Sequence, residues 1–160
     1  MAVAAAPIAL VSADSLYRPV VVPGSVGPLG ELLEPMALLT EDDAIAAFRE
    51  QIEALKAGGA DVAWIETMFS AEEVRAAAQA AINIGMPYTA TLSFDTAGRT
   101  LMGILPESVP SLCAAIAVQP IAMGANPGVG ARDLRLPALA CAGAERPTAH
   151  HPQPNSAVHP

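Results

Sequence analysis

Glu66 has the setting that most invites chemistry. It stands directly after the apolar run Val62-Ala63-Trp64-Ile65. A carboxylate at the end of a buried strand can accept hydrogen bonds from an ammonium group, or act as a general base. The plainer reading is a solvated loop acid, or an acid that satisfies nearby backbone N–H groups. Two Gly-rich segments, GSVGPLG (24–30) and GANPGVG (124–130), also follow apolar runs. Their backbone N–H groups could face an anion. Neither has G-x-G-x-x-G spacing or a P-loop lysine, so tight turns are the simpler expectation. In SFDTAGRT (93–100), Asp95 and Arg99 suit a local ion pair or an Asx-turn. Cys113 and Cys141 are not near a histidine in sequence and read as small buried hydrophobes. His150, His151 and His159 lie among prolines, where a metal would find no fixed geometry. No CxxC pair, paired-carboxylate site or Ser/His/Asp constellation is evident.

The elements that must position these residues follow a clear rhythm. PVVVPG (19–24) is a β-branched run closed by Pro and Gly, and predicts a strand near 20–23. Thr40 then precedes EDDAIAAFREQIEALKAGG, with acids in the first turn. Ile45, Phe48, Ile52 and Leu55 fall on one helical face, so a helix is expected over about 41–57. Gly58 and Gly59 sit where a helix end wants a left-handed residue. DVAWIE (61–66) predicts the next strand. Ser70 and Glu73 form a capping-box pattern opening a helix over 71–84, with Gly85 as its stop. MPYTATLSF (86–94) reads as a third strand. Pro106 begins a weaker helix to about Ala117, QPIAMGAN (119–126) is a fourth strand, and 131–136 could open another helix.

Repeated strand–helix–strand units imply an α/β fold with a parallel sheet. The strands are nearly continuously apolar, as expected where both faces are buried. An open doubly wound sheet and an arc of a (β/α)₈ barrel both fit. A full barrel typically takes about 250 residues, more than the 160 here. In both architectures ligands bind at the C-terminal ends of the strands. That rule selects four places, 24–27, Glu66-Thr67, 93–95 and 124–128, and within them Ser25, Glu66, Ser93 and Asn126.

Composition narrows the field. Hydrophobic residues make up 52% and mean hydropathy is +0.40, so a wholly disordered chain is excluded. Only 4% are aromatic, so the core is built from small side chains. The net charge is −8, and Lys56 is the only lysine. A nucleic-acid surface needs clustered Lys and Arg, and anionic lipid has the same requirement. No apolar run approaches the roughly 20 residues of a membrane helix. Two cysteines are too few for a disulfide framework, so a reduced, cytoplasmic setting is expected. Three regions are expected: a poorly defined Ala-rich segment over 1–19, a βα domain over 20–136, and a disordered Pro/His-rich tail over 137–160.

Four segments carry a family resemblance. GSVGPLGELLEPM (24–36), LKAGGADVAWIETM (55–68), YTATLSFDTAGRTLMG (88–103) and MGANPGVGARDL (123–134), in consistent order, resemble the homocysteine S-methyltransferase domain. The bacterial betaine–homocysteine methyltransferase type is the nearest in appearance. The resemblance implies a partial (β/α)₈ barrel, its third to sixth βα units. It implies that Glu66 matches the family's acceptor for the homocysteine amino group, and that Asn126 matches the Asn beside the first zinc cysteine. Ser25 and Ser93 would lie on the same substrate-binding rim. The family's zinc, held by three cysteines, favours the thiolate that attacks the methyl donor.

Here Pro127 stands where the first zinc cysteine is expected, and no Gly-Gly-Cys-Cys motif or Asp-Gly-Ala/Gly-Thr first-strand motif occurs. No bound cofactor is therefore expected for this chain. The leading expectation is a truncated, decayed or frame-shifted methyltransferase domain, inactive alone. A non-catalytic α/β assembly module is the alternative. It would pair with a complementary barrel half or a second copy through open sheet edges and an uncovered apolar face. An unrelated small enzyme using Glu66 ranks behind both.

Overall fold

The structure, a computed structural model, describes residues 20–95 and 97–127. The expectations for 1–19, for a helix at 131–136 and for the tail, with Cys141 and the three histidines, lie outside the described residues. Within them the order is β1 (Pro23–Val26), α1 (Glu41–Ala57), β2 (Val62–Met68), α2 (Ala71–Ile84), β3 (Tyr88–Phe94), a 3-10 turn (Pro106–Ser108), α3 (Val109–Ala114) and β4 (Ala122–Pro127). The four strands form one sheet in the order β1-β2-β3-β4, and every pairing is parallel. Sequential order with α/β crossovers is the arrangement of a segment of a (β/α)₈ barrel, one of the two architectures expected.

Both longer helices form where their caps and periodicity place them. Thr40 accepts the N–H of Asp43 at 3.1 Å and opens α1. Ala44, Phe48, Ile52 and Leu55 are buried along its inner stripe, so Ala44 takes the place expected for Ile45, which is only partly buried. Gly58 ends the helix with its N–H on Ala54, while Gly59 supplies the left-handed turn at φ +89°. In α2 the buried apolar positions are Val74 and five alanines. Side chains this small let the helix lie close to the sheet and to α1. A fully buried Phe48 or Ile52 contributes about 1.5–3 kcal/mol relative to exposure.

Two expectations need correction. The first strand is Pro23–Val26, not 20–23. Val20 and Val21 are exposed, and the Val22 N–H donates to the Asp61 carboxylate at 2.8 Å instead of to the ladder. Proline has no N–H to donate, so Pro23 is tolerated as the first strand residue. Gly24 follows inside the strand for a packing reason. A Cβ there would sit 2.9 Å from one methyl group of Leu55. GSV is therefore strand, not turn, while GAN lies in β4 as the QPIAMGAN reading expected. The expected helix from Pro106 to Ala117 is a 3-10 turn followed by six helical residues. Cys113 is buried within it, before β4 as expected.

Alternation along the strands separates two faces. Ala63, Ile65, Ala90, Leu92 and Phe94 are buried in the core that includes the helices. Ser25, Trp64, Glu66, Thr91, Ser93 and Asn126 occupy the alternate positions. That second face was expected to be apolar. It is mixed and mostly polar, with Trp64 its large apolar group, 39% exposed.

Candidate functional site

The site is built from the last residues of the four strands. Ser25 pairs with Trp64 in the β1–β2 ladder, two positions before Glu66. Its hydroxyl donates to Glu66 Oε1 at 2.5 Å. Gln51 of α1 donates its amide to the Ser25 carbonyl at 3.2 Å and ties the helix to this strand end. On the other side, Ser93 and Asn126 face each other in the β3–β4 register. Asn126 Nδ2 donates to Ser93 Oγ at 2.9 Å and to Thr67 Oγ1 at 3.2 Å. The four residues selected from the sequence thus lie along one edge of the sheet, as two bonded pairs. Each sits inside a strand; β2 runs on to Met68, past Glu66, the last residue of the expected DVAWIE strand.

Thr67 joins the two pairs; the strand-end rule reached it only as the neighbour of Glu66 and gave it no role. It is the neighbour of Glu66 and the hydrogen-bond partner of Asn126. Its φ is +67°, and it is the only non-glycine residue with positive φ among the described residues. The β2–β3 register slips there: Ile65 pairs with Ala90, and the next pair is Met68 with Leu92. A β-bulge of this kind re-aims side chains and often lies beside functional sites. For a β-branched residue the left-handed region is a real outlier, costing on the order of 1–3 kcal/mol. The sequence signal, a Thr within ETM, carries no hint of this, because the bulge arises from the pairing with β3.

Two buried oxygens have no hydrogen-bond partner among the described residues, Asn126 Oδ1 and Thr89 Oγ1. An unpaired buried acceptor is unfavourable by about 1–3 kcal/mol unless water or a ligand meets it. Asn126 Oδ1 belongs to the rim. Thr89 lies lower on the same face, paired with Trp64 in the ladder.

Glu73 supports the rim from α2. Ser70 accepts the Glu73 N–H at 3.1 Å, the first half of the expected capping box. The second half is replaced: the Glu73 carboxylate accepts the Leu29 N–H at 2.7 Å, fixing the chain that leaves β1. Burial raises the Glu73 pKa above its ordinary value of 4.5, and the Leu29 N–H offsets part of that rise. At the opposite end of β3, burial pushes Tyr88 up to about 12, with Cys113 adding to the rise. Its hydroxyl donates to the Val118 carbonyl at 2.5 Å. Asp95 accepts the N–H groups of Ala97 at 2.8 Å and Arg99 at 3.3 Å, which is the Asx-turn of the two readings.

The donor set does not fit a thiolate-bound zinc. The rim offers one carboxylate, three hydroxyl groups and a carboxamide. Among the described residues no three His, Cys, Asp or Glu side chains converge. Pro127 follows Asn126 in β4 and has no side-chain donor to replace a cysteine. Cys113 is fully buried in α3. What the rim can do is accept and donate hydrogen bonds to a small polar molecule.

A parallel βα arc with a polar C-terminal rim defines a barrel-type α/β protein, a class that binds its ligands at the strand ends. The family model for homocysteine S-methyltransferase matches residues 1–158, and the chain belongs to that family. Among solved structures it is similar to the apo homocysteine methyltransferase MmuM from Escherichia coli, with a TM-score of 0.60 and 24% identity. That match covers 76% of this chain and 43% of the other, so the chain spans less than half the length of that neighbour. At this identity the likeness speaks to fold alone. Comparison with curated protein sequences gives no match. No helix among the described residues is long and apolar enough to cross a membrane.

Proposed function

We propose that the chain is a partial homocysteine S-methyltransferase domain. It keeps a seat for the amino-acid part of the substrate and does not by itself transfer the methyl group. One observation carries this reading: Ser25–Glu66 and Ser93–Asn126 stand as two bonded pairs on a single strand-end rim. A carboxylate held by a neighbouring hydroxyl is a suitable acceptor for an α-ammonium group. The unpaired Asn126 Oδ1 is a second acceptor on the same rim. Ser25 and Ser93 remain able to reorient towards a ligand carboxylate, since a hydroxyl both donates and accepts.

Methyl transfer asks more. The nucleophile is the thiolate, and a free thiol near pKa 8.5 is mostly protonated at neutral pH. The described residues hold no ligand set that would lower it. A cytoplasmic place in methionine formation accords with the family, the substrate seat being this chain's share of it.

The test is direct. The full chain is incubated with L-homocysteine, added zinc, and betaine or a methyl-sulfonium donor. No methionine should form, yet L-homocysteine should bind. Glu66→Gln should weaken that binding by about tenfold or more, the range for a charge-assisted hydrogen bond. Zinc-dependent methionine formation would overturn the inactive half of the reading. Absence of binding would overturn the seat.

One observation favours a second reading, that of an assembly module. β1 and β4 are the outer strands of the sheet, each paired on one side only among the described residues. A complementary half or a second copy would satisfy both edges. A compact monomer by sedimentation at micromolar concentration would exclude it.

A further inference from the structure

We infer that Thr67 is a positioning residue for the amino-acid seat: its left-handed backbone aims Glu66, and its hydroxyl fixes Asn126. The inference rests on the reading of the rim as that seat, and goes further by naming what holds its two halves in register.

The two roles come from separate observations. The backbone role rests on φ +67° at a β-branched residue, within the register slip between Ile65 and Met68. Regular extended backbone would set Glu66 and Thr67 on opposite faces of the sheet. The extra residue of a bulge releases that alternation, so both side chains can serve the same rim. Glu66 then accepts from Ser25 on one side, while Thr67 accepts from Asn126 on the other. The hydroxyl role rests on the Asn126 amide. Nδ2 has two protons, and the two acceptors are Thr67 Oγ1 and Ser93 Oγ. With both used, the amide plane is fixed and Oδ1 is held in one direction. That oxygen is buried and has no partner among the described residues. Without Thr67 Oγ1 the amide keeps one tether and can rotate.

A threonine in this conformation is strained, and the fold alone gives no reason for a β-branched residue here. Glycine adopts positive φ without steric penalty and would serve the fold better. Strain of this kind collects at functional sites, where the surrounding structure holds it in place. Stability and binding should therefore move in opposite directions at this position.

Three variants of the full chain test this: Thr67→Val, which keeps the shape and backbone strain but removes the hydroxyl; Thr67→Ser, which keeps the hydroxyl; and Thr67→Gly, which relieves the strain and removes the hydroxyl. Melting temperature and L-homocysteine affinity by calorimetry are read for each. Thr67→Val should bind about tenfold more weakly, the effect of one lost hydrogen bond on a buried amide. Thr67→Ser should bind within about threefold of wild type, a difference smaller than one hydrogen bond provides. Thr67→Gly should melt higher than wild type and bind at least as poorly as Thr67→Val. If wild type binds and Thr67→Val binds equally well, the positioning role is wrong while the seat stands. If Thr67→Gly melts lower than wild type, the strained-backbone role is wrong whatever the ligand does. If wild type itself fails to bind, the seat and the positioning role fall together.

Discussion

Glu73 carries two tasks with one side chain. Its backbone N–H donates to the Ser70 hydroxyl, while its carboxylate reaches away to accept the Leu29 N–H. Glu73 is 4% exposed, and burial raises its carboxyl pKa above 4.5. The sign of the pH effect follows. Between 4.5 and the raised folded value, the folded state holds a proton that the unfolded chain has lost. Stability contributed by Glu73 is therefore greatest at low pH and declines as pH rises through that window. Glu73→Gln removes the titration but keeps an oxygen for the Leu29 N–H. Melting temperatures measured from pH 4 to pH 7 should show wild type losing ground to Glu73→Gln as pH rises. Parallel curves would contradict the burial of this charge. The capping pattern was legible in the sequence, but the partner of the carboxylate was not. A local motif predicts a local bond, and Leu29 lies 44 residues away.

The elements divide by what fixes them. α1 and α2 match the sequence reading because a cap, an apolar stripe and a terminal glycine agree at each. Thr40, the Phe48–Ile52–Leu55 stripe and Gly59 act together in α1, as do Ser70 and Gly85 in α2. β1 differs because a β-branched run is a necessary and not a sufficient sign of a strand. Val20–Val22 has the composition, but the ladder begins at Pro23, where Asp61 has already taken the Val22 N–H. The place of Gly24 is set by a neighbour distant in sequence, Leu55. This gives a test at the scale of elements. Gly24→Ala should destabilise the fold by about 1–3 kcal/mol through overpacking, since Leu55 Cβ as well as its methyl groups lies within 3.1 Å of the new carbon. Adding Leu55→Val should recover part of that loss in a double-mutant cycle read by urea unfolding. Additive losses would show that the two sites do not touch. Thr67 belongs to the same class of hidden feature. Its conformation is a product of the β2–β3 pairing and has no signature in the local sequence.

At the scale of the molecule, strand order and helix placement give an arc whose covered face is apolar and whose other face is mostly polar. The sequence made the first part legible, because βα repeats with short connections leave few topologies. The second part was read wrongly as apolar. Thr89, Thr91 and Ser93 alternate with Tyr88, Ala90, Leu92 and Phe94, and in a run so rich in β formers that alternation is easily taken for burial on both sides. The polar face is what suits the strand-end rim to the proposed seat for a polar ligand. On that proposal two parts of the family's chemistry separate: grip on the amino acid, assigned to the rim, and activation of the thiol, for which the described residues offer no ligands. The most direct measurement is calorimetric titration of the full chain with L-homocysteine and with L-methionine, each with and without a zinc chelator. Both ligands carry the same amino-acid group and differ at sulfur. The account predicts affinities within a few-fold of each other, unchanged by the chelator, since one kilocalorie of sulfur recognition would already separate them about fivefold. A strong preference for L-homocysteine that disappears on chelation would contradict it.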